Sequence, residues 1–382
     1  MFSSRTQWKL ETNPIAKKLE SLKKKGSRIL DLTQSNPTAA GVSYPKGILS
    51  ALRKEENLRY QPNPKGLIRA RRCVSQYYAE KGVRLSPDQI ILTSSTSESY
   101  SYLFRLLTEP GDEVLIPSPG YPLFEFLATM NDVVTRPYHF ENLEKLISAK
   151  TRAVVLVHPN NPTGNFVKKS ELGQLNERAM KHDLALISDE VFFDFAYSKS
   201  DSRRAPTFAS NHQALTFTLG GISKMLGLPQ MKLGWIGVTG PEKLRQAALE
   251  RLEVIADTYL SVSTPVQNAF EDWMKFRKII LKNMMRRLEQ NRKVLESEIR
   301  KIPSCRLQPS EGGWYCVIRI PEILSEEEWV LTLLEKDHVL VQPGYFYDFP
   351  SGAHLVVSLV TEPRIFKEGV RKIIQRIRHE SA

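Results

Sequence analysis

The sequence predicts an α/β fold, a mostly parallel sheet covered by helices, with a smaller α+β unit assembled from both chain ends. Three observations predict it. Six short runs, "QIILT", "EVLIPS", "AVVLVHP", "LALISDE", "ALTFTLGGIS" and "KLGWIGVTG", are apolar almost without interruption, as strands buried on both faces must be. Helical stretches separate them, and that alternation is the mark of a sheet wound in parallel. After Ile302 the segments "CRLQPSEGGWYCVIRI", "HVLVQPG" and "HLVVSLV" alternate instead, in the manner of a small antiparallel sheet.

Taken in order, "TNPIAKKLESLKKKG" begins a helix with Asn13 as cap and Pro14 in the first turn. Ile15, Leu19 and Leu22 share one face, and Gly26 ends it. "SRILDLTQSNPT" reads as a short strand running into a turn. From about Tyr44 helices and strands alternate. The stretch from Thr264 to Ile302 reads as one long helix or two, and a basic amphipathic helix follows the small sheet. No internal repeat, low-complexity tract or long linker interrupts the pattern. The layout places the first part of a small domain at 1–43, a large domain at 44–285 and the rest of the small domain at 286–382.

A chain of 382 residues is longer than one core comfortably fills, which agrees with two domains. No segment reads as a signal peptide or a membrane span. Cys73, Cys305 and Cys316 are odd in number and lack metal-ligand spacing, so no metal site is expected and a reduced, cytoplasmic protein is the simplest reading. The net charge of +12 is scattered in short clusters such as Lys23 to Lys25. Without zinc-finger, basic-zipper or RNA-sheet patterns these predict solvated helix faces, with no nucleic-acid or membrane partner.

Ligands of such sheets bind outside the carboxyl ends of the strands, so the residues after each strand carry the functional reading. "SSTSES" follows the first run and opens a helix. Ser95 and Thr96 either cap that helix or let its free N–H groups cradle an anion. "NNPTGN" follows "AVVLVHP"; it is a tight turn, yet it sets the amide of Asn161 at the ligand edge. "DEVFFDF" closes the next strand with carboxylates that are costly to bury without a partner, Asp189 first. Lys224 follows "LTFTLGGIS". Most lysines are surface charges, but one at the end of a buried strand is desolvated toward nucleophilic use. An anion cradle, an amide, a carboxylate and a lysine in this order describe a phosphorylated pyridine aldehyde, held by its phosphate, its ring nitrogen and an imine to lysine.

These residues stand in "YQPNPKGLIRAR", "PGDEVLIPSPGYPLF", "HPNNPTGN", "SDEVFFDF" and "ISKMLGLPQMKLGW". From "LTQSNPT" to the C-terminal helix the chain resembles the class I/II aminotransferases, pyridoxal 5′-phosphate (PLP) enzymes of fold type I. The resemblance implies that Lys224 forms the imine and carries the proton between the substrate Cα and C4′ of the cofactor. It implies that Asp189 pairs with the pyridine nitrogen and that Asn161 binds the phenolic oxygen near the substrate carboxylate. Tyr121 would stack on the ring, the backbone at Ser95 and Thr96 would hold the phosphate, and Ser223 fits the hydroxyl usual before the lysine. Tyr60 resembles the tyrosine that reaches the phosphate of a neighbouring subunit, which implies a homodimer with shared active sites. The implied reaction is ping-pong transfer of an amino group from an L-amino acid to a 2-oxo acid through pyridoxamine phosphate. A PLP-dependent carbon–sulfur lyase begins from the same carbanion and stays open, as does a PLP-binding protein without transaminase activity.

The chain departs from the family pattern at several positions. Phe192 replaces a tyrosine common three residues after Asp189, and Gly221 replaces a phosphate-binding serine. Lys232 replaces the arginine of "LPxxRxGW" and by its place in that motif still offers positive charge to the phosphate, as a point charge in place of a bidentate fork. Ser35, in "QSNPT", stands where a small glycine is usual and narrows the entrance. In "HLVVS" Val356 occupies the place of the arginine that clamps the substrate α-carboxylate, leaving Arg364 and Lys232 as candidate replacements. Tyr345, Phe346 and Tyr347 either pack the domain interface or line the substrate side, and the second case would favour apolar or aromatic amino acids.

Overall fold

A computed structural model describes residues 1–8, 10–198 and 201–381. Its strands are β1 (Leu30–Asp31), β2 (Ile90–Thr93), β3 (Glu113–Pro117), β4 (Val134–Tyr138), β5 (Thr151–Val157), β6 (Ala185–Asp189) and β7 (Thr216–Gly221), followed by β8 (Gly234–Thr239), β9 (Arg306–Leu307), β10 (Tyr315–Ile320), β11 (Val339–Leu340), β12 (Gln342–Pro343) and β13 (Ala353–Ser358). Seven of them form one sheet in the order β2-β8-β7-β6-β5-β3-β4. Only β8 runs against its neighbours, so the other six strands deliver their carboxyl ends to one edge.

All six apolar runs are strands of this sheet. The seventh, β4, pairs in parallel with β3 at the rim. Its sequence, "VTRPY", is polar and mostly exposed, and Pro137 is tolerated because an edge strand has one side free of ladder bonds. Helices cover both faces. Val155 and Ile187 point toward the helices Thr96–Leu107 and Glu242–Tyr259, while their neighbours Val154 and Leu186 point toward Lys169–His182, the period-two alternation of a doubly covered strand.

The smaller sheet is antiparallel, in the order β12-β13-β10-β9. The two chain ends meet in a short parallel pair, Leu30 with Val339 and Asp31 with Leu340. The first long helix starts as expected, the Asn13 side chain accepting the Ala16 N–H at 2.7 Å. The stretch beyond Thr264 is two helices, Thr264–Lys275 and Arg277–Ile299, and the second runs unbroken through residue 285. Among the described residues no helix is long and apolar enough to cross a membrane, and no cluster of His, Cys, Asp and Glu is placed to hold a metal.

One contact fixes the β7–β8 hairpin just ahead of Lys224. Gly220 faces the Trp235 indole so closely that a Cβ there would lie 2.5 Å from the ring. The indole N–H in turn donates to the Tyr78 hydroxyl at 3.1 Å, with the ring fully buried. Any side chain at 220 would push these strands apart.

Candidate active site

The carboxyl ends of the parallel strands open into a cavity of ≈ 290 Å³. Asn161, Asp189, Ser223 and Lys224 line it from β5, β6 and β7, Ser95 and Thr96 from the helix after β2, and Ser35, Tyr121 and Lys232 from loops. Phe192 and Gly221 line it too. Tyr60 does not. It is 73% exposed and lies in a separate surface hollow beside Leu260 and Ser261.

Asp189 ends β6 and is buried. It accepts the Tyr100 phenol at 3.2 Å and the Val191 N–H at 3.1 Å. Burial pushes its pKa up to about 6, against the pull of the Val191 N–H, the Tyr100 phenol and the Lys224 charge. Lys224 shifts the other way, burial lowering its pKa while Asp189 opposes. Its Nζ sits 5.0 Å from the ring centroid of Trp314 and 5.8 Å from that of Phe192. Aromatic faces thus surround an amine that has no hydrogen-bond or ion-pair partner among the described residues. This is the environment that favours a neutral, nucleophilic lysine.

Asn161 follows β5 in a turn closed by the Gly164 N–H on the Asn160 carbonyl at 2.8 Å. Gly164 takes φ +74° there, a conformation other residues rarely adopt. The Asn161 side chain is buried, and its Oδ1 has no hydrogen-bond partner. A buried amide with an unpaired atom is costly, which sets Asn161 apart from an ordinary turn residue.

Ser95 caps its helix, and the cap leaves room for the second reading. The Ser95 hydroxyl accepts the Glu98 N–H at 3.2 Å, and Glu98 Oε2 takes the Ser94 N–H at 2.7 Å. That cap leaves the N–H groups of Thr96 and Ser97 without an acceptor among the described residues. They form the positive end of the Thr96–Leu107 helix, facing the cavity. Lys232, exposed and in the left-handed region at φ 52°, adds a positive charge to the same cavity as the chain turns into β8. At Gly221 a Cβ would meet the Leu233 carbonyl oxygen at 3.1 Å, so the hairpin is too tight there for an easily accommodated serine.

Phe192 is buried and packs edge-on against Trp314 at 5.4 Å between centroids; it gives the cavity a phenyl face and no hydroxyl. Tyr121 is half-buried, edge-on to Phe124 at 5.6 Å, with its pKa pushed up to about 12 chiefly by burial. Val356 is fully buried with Val317 and Tyr347, away from the cavity wall. Arg364 is exposed in the first turn of the Pro363–Glu380 helix and does not line the cavity either. None of Tyr345, Phe346 and Tyr347 reaches it; Tyr347 is buried with its hydroxyl on Gln342 Oε1, and Tyr345 sits outside near Glu326 and Glu327. Phe346 and Tyr347 pack, and Tyr345 stays exposed.

Tyr100 and Tyr315 are among the residues of the site absent from the sequence reading. Tyr100 holds Asp189 from the inner face of a helix, where a phenol resembles ordinary core. Tyr315, the first residue of β10, lines the cavity with Ser35. The period-two pattern that puts Tyr315 on the face of Val317 was the available signal.

A buried carboxylate short of a cation, a desolvated amine, a cavity-lining side-chain amide and free helix amides fit one group. That group carries a ring nitrogen, an aldehyde, a phenolic hydroxyl and a phosphate. Comparison with known proteins agrees. The sequence model for aminotransferase class I and II matches residues 27–366. The chain is 28% identical over 380 residues to the glutamate-pyruvate aminotransferase AlaA of Haemophilus influenzae, covering 94% of this chain and 93% of that one. It is 29% identical over 374 residues to an alanine aminotransferase of Mycobacterium tuberculosis, covering 92% and 85%. In fold it follows the solved alanine aminotransferase of Pyrococcus furiosus, with a TM-score of 0.89 at 23% identity over 99% of this chain and 100% of that one. Matched in sequence along most of its length and in fold throughout, the chain belongs to the class I and II aminotransferases and is a PLP-dependent aminotransferase.

Proposed function

We propose that the cavity is the active site and that Lys224 is its catalytic residue, for transfer of an amino group from an L-amino acid to a 2-oxo acid. When bound, PLP supplies an aldehyde for the amino group and a ring that accepts the electron pair left by the departing α-proton. The residues do the rest. Lys224 Nζ holds the cofactor covalently at rest and, once released, takes and returns the proton as a general acid–base. Asp189 keeps the ring nitrogen protonated, and the Tyr100 and Val191 hydrogen bonds keep Asp189 charged. Asn161 offers its amide N–H to the phenolic oxygen, Tyr121 covers the ring, and the Thr96 and Ser97 amides bind the phosphate with Ser95, Ser223 and Lys232. The observation that carries this reading is the pairing of a desolvated amine with a buried carboxylate in one cavity.

Tyr60 takes its part in a second copy of the chain. Leu58, Tyr60, Tyr259 and Leu260 are all exposed apolar side chains, and a cluster of that kind marks an interaction surface. A homodimer covers it and delivers Tyr60 to the partner's phosphate.

The test uses purified enzyme with PLP and single L-amino acids, without acceptor. Loss of visible absorbance with formation of pyridoxamine phosphate is expected for the wild type. Lys224→Ala should abolish it and lower turnover by about 10³-fold or more. An active Lys224→Ala enzyme would remove the assignment. Mixing Lys224→Ala with Tyr60→Ala subunits should restore part of the activity if sites are shared; no restoration argues against a composite site.

A further inference from the structure

With Lys224, Asp189 and Lys232 committed to the cofactor, the cavity has no cation left for a substrate. No arginine or histidine lines it among the described residues. The place of the missing clamp is also closed. Val356 pairs in register with Val317 on one side and Gln342 on the other, so the three side chains share one face of the small sheet. Tyr347 covers this row with its ring and ties its hydroxyl to Gln342 Oε1. A guanidinium at this position would have no path to the cavity.

The same face continues to Tyr315, two residues before Val317, and there it meets the cavity. Ser35 lines the same cavity as Tyr315, so two uncharged donors share the site. Apart from the groups assigned to the cofactor, the lining includes the apolar side chains Phe192, Val191, Leu233 and Pro229.

We infer that this enzyme binds its substrate carboxylate through Tyr315 and Ser35, without an arginine, and that it takes monocarboxylic amino acids with apolar or aromatic side chains in preference to dicarboxylic ones. The inference rests on the active-site reading above. A phenol and a hydroxyl can satisfy one carboxylate by hydrogen bonds. A second carboxylate entering the cavity would shed its water against phenyl and alkyl walls with no cation to receive it.

Calorimetric binding to the PLP-loaded enzyme tests it with three unreactive probes: 3-phenylpropanoate, 3-phenylpropanamide and glutarate. The wild type should bind 3-phenylpropanoate at least about tenfold more tightly than glutarate. Tyr315→Phe should weaken 3-phenylpropanoate by about tenfold, the worth of one hydrogen bond to a charged group, and leave the amide unchanged. Ser35→Ala should act in the same direction, and both variants should keep the cofactor's visible absorbance. Glutarate binding as tightly as 3-phenylpropanoate, as a cation reaching in from a second copy would produce, overturns the inference. So does a Tyr315→Phe enzyme that binds 3-phenylpropanoate like the wild type. A wild type that takes up no PLP overturns the active-site reading itself, and the inference with it.

Discussion

The Tyr100 hydroxyl donates to Asp189 Oδ2 at 3.2 Å with both side chains buried. The helix that offers its N-terminal amides to the cavity therefore also steadies the carboxylate on the opposite side of the cofactor site. Tyr100→Phe keeps the ring that packs edge-on against Phe124 at 5.3 Å and removes only the hydrogen bond. Asp189 then ionises less readily, and PLP affinity should fall by about fivefold to tenfold, or roughly 1–1.4 kcal/mol. An absorbance titration with PLP reads the change. Unaltered affinity would mean that the bond plays no part in keeping Asp189 charged.

Asp189 also sets a pH dependence in the cofactor-free protein. Its pKa is raised from 3.8 to about 6 by burial, so its contribution to stability is fully present below about pH 4 and is lost as pH rises through 6. The loss amounts to about 3 kcal/mol by pH 8. Asp189→Asn should stabilise the cofactor-free chain near pH 8 by up to that amount and near pH 4 by almost nothing, while PLP retention collapses at both. Urea unfolding at the two pH values checks the sign. An equal gain at both would exclude a raised pKa.

Val356→Arg is expected to fail as a repair. It places a guanidinium among Val317, Tyr347 and the aromatics around them, which should destabilise the fold by about 3–5 kcal/mol. Denaturant unfolding measures this directly. A variant as stable as the wild type that binds 3-phenylpropanoate more tightly would show that Tyr347 yields readily and that the slot is open after all.

The large sheet and the polar groups at its ligand edge are legible in the sequence for one reason. Strands buried on both faces leave apolar runs, and the residue after each run has little freedom in where it goes. Asn161, Asp189 and Lys224 are found that way. β4 is not, because a rim strand with "VTRPY" has no apolar run to leave. Tyr100 stays hidden because a phenol on the inner face of a helix looks the same whether it fills space or holds a carboxylate. At Val356 the sequence shows that an arginine is missing but not that Tyr347 has closed the gap, since the cover comes from a separate loop. Tyr60 lies outside the cavity of its own chain, and only its motif, not its place after a strand, singles it out.

The reversal of β8 puts two of the cavity's lysines on one stretch of chain. The chain that leaves β7 with Lys224 returns to the same edge with Lys232 before β8 begins. Both amines therefore travel on one hairpin connection, 222–233, whose register is set by the fit of Gly220 to Trp235. That connection can be treated as a cassette. Exchanging it for the matching segment of a relative would swap both cavity lysines together. Such a graft can seat only in a host that already carries the glycine and the indole, or receives both along with it.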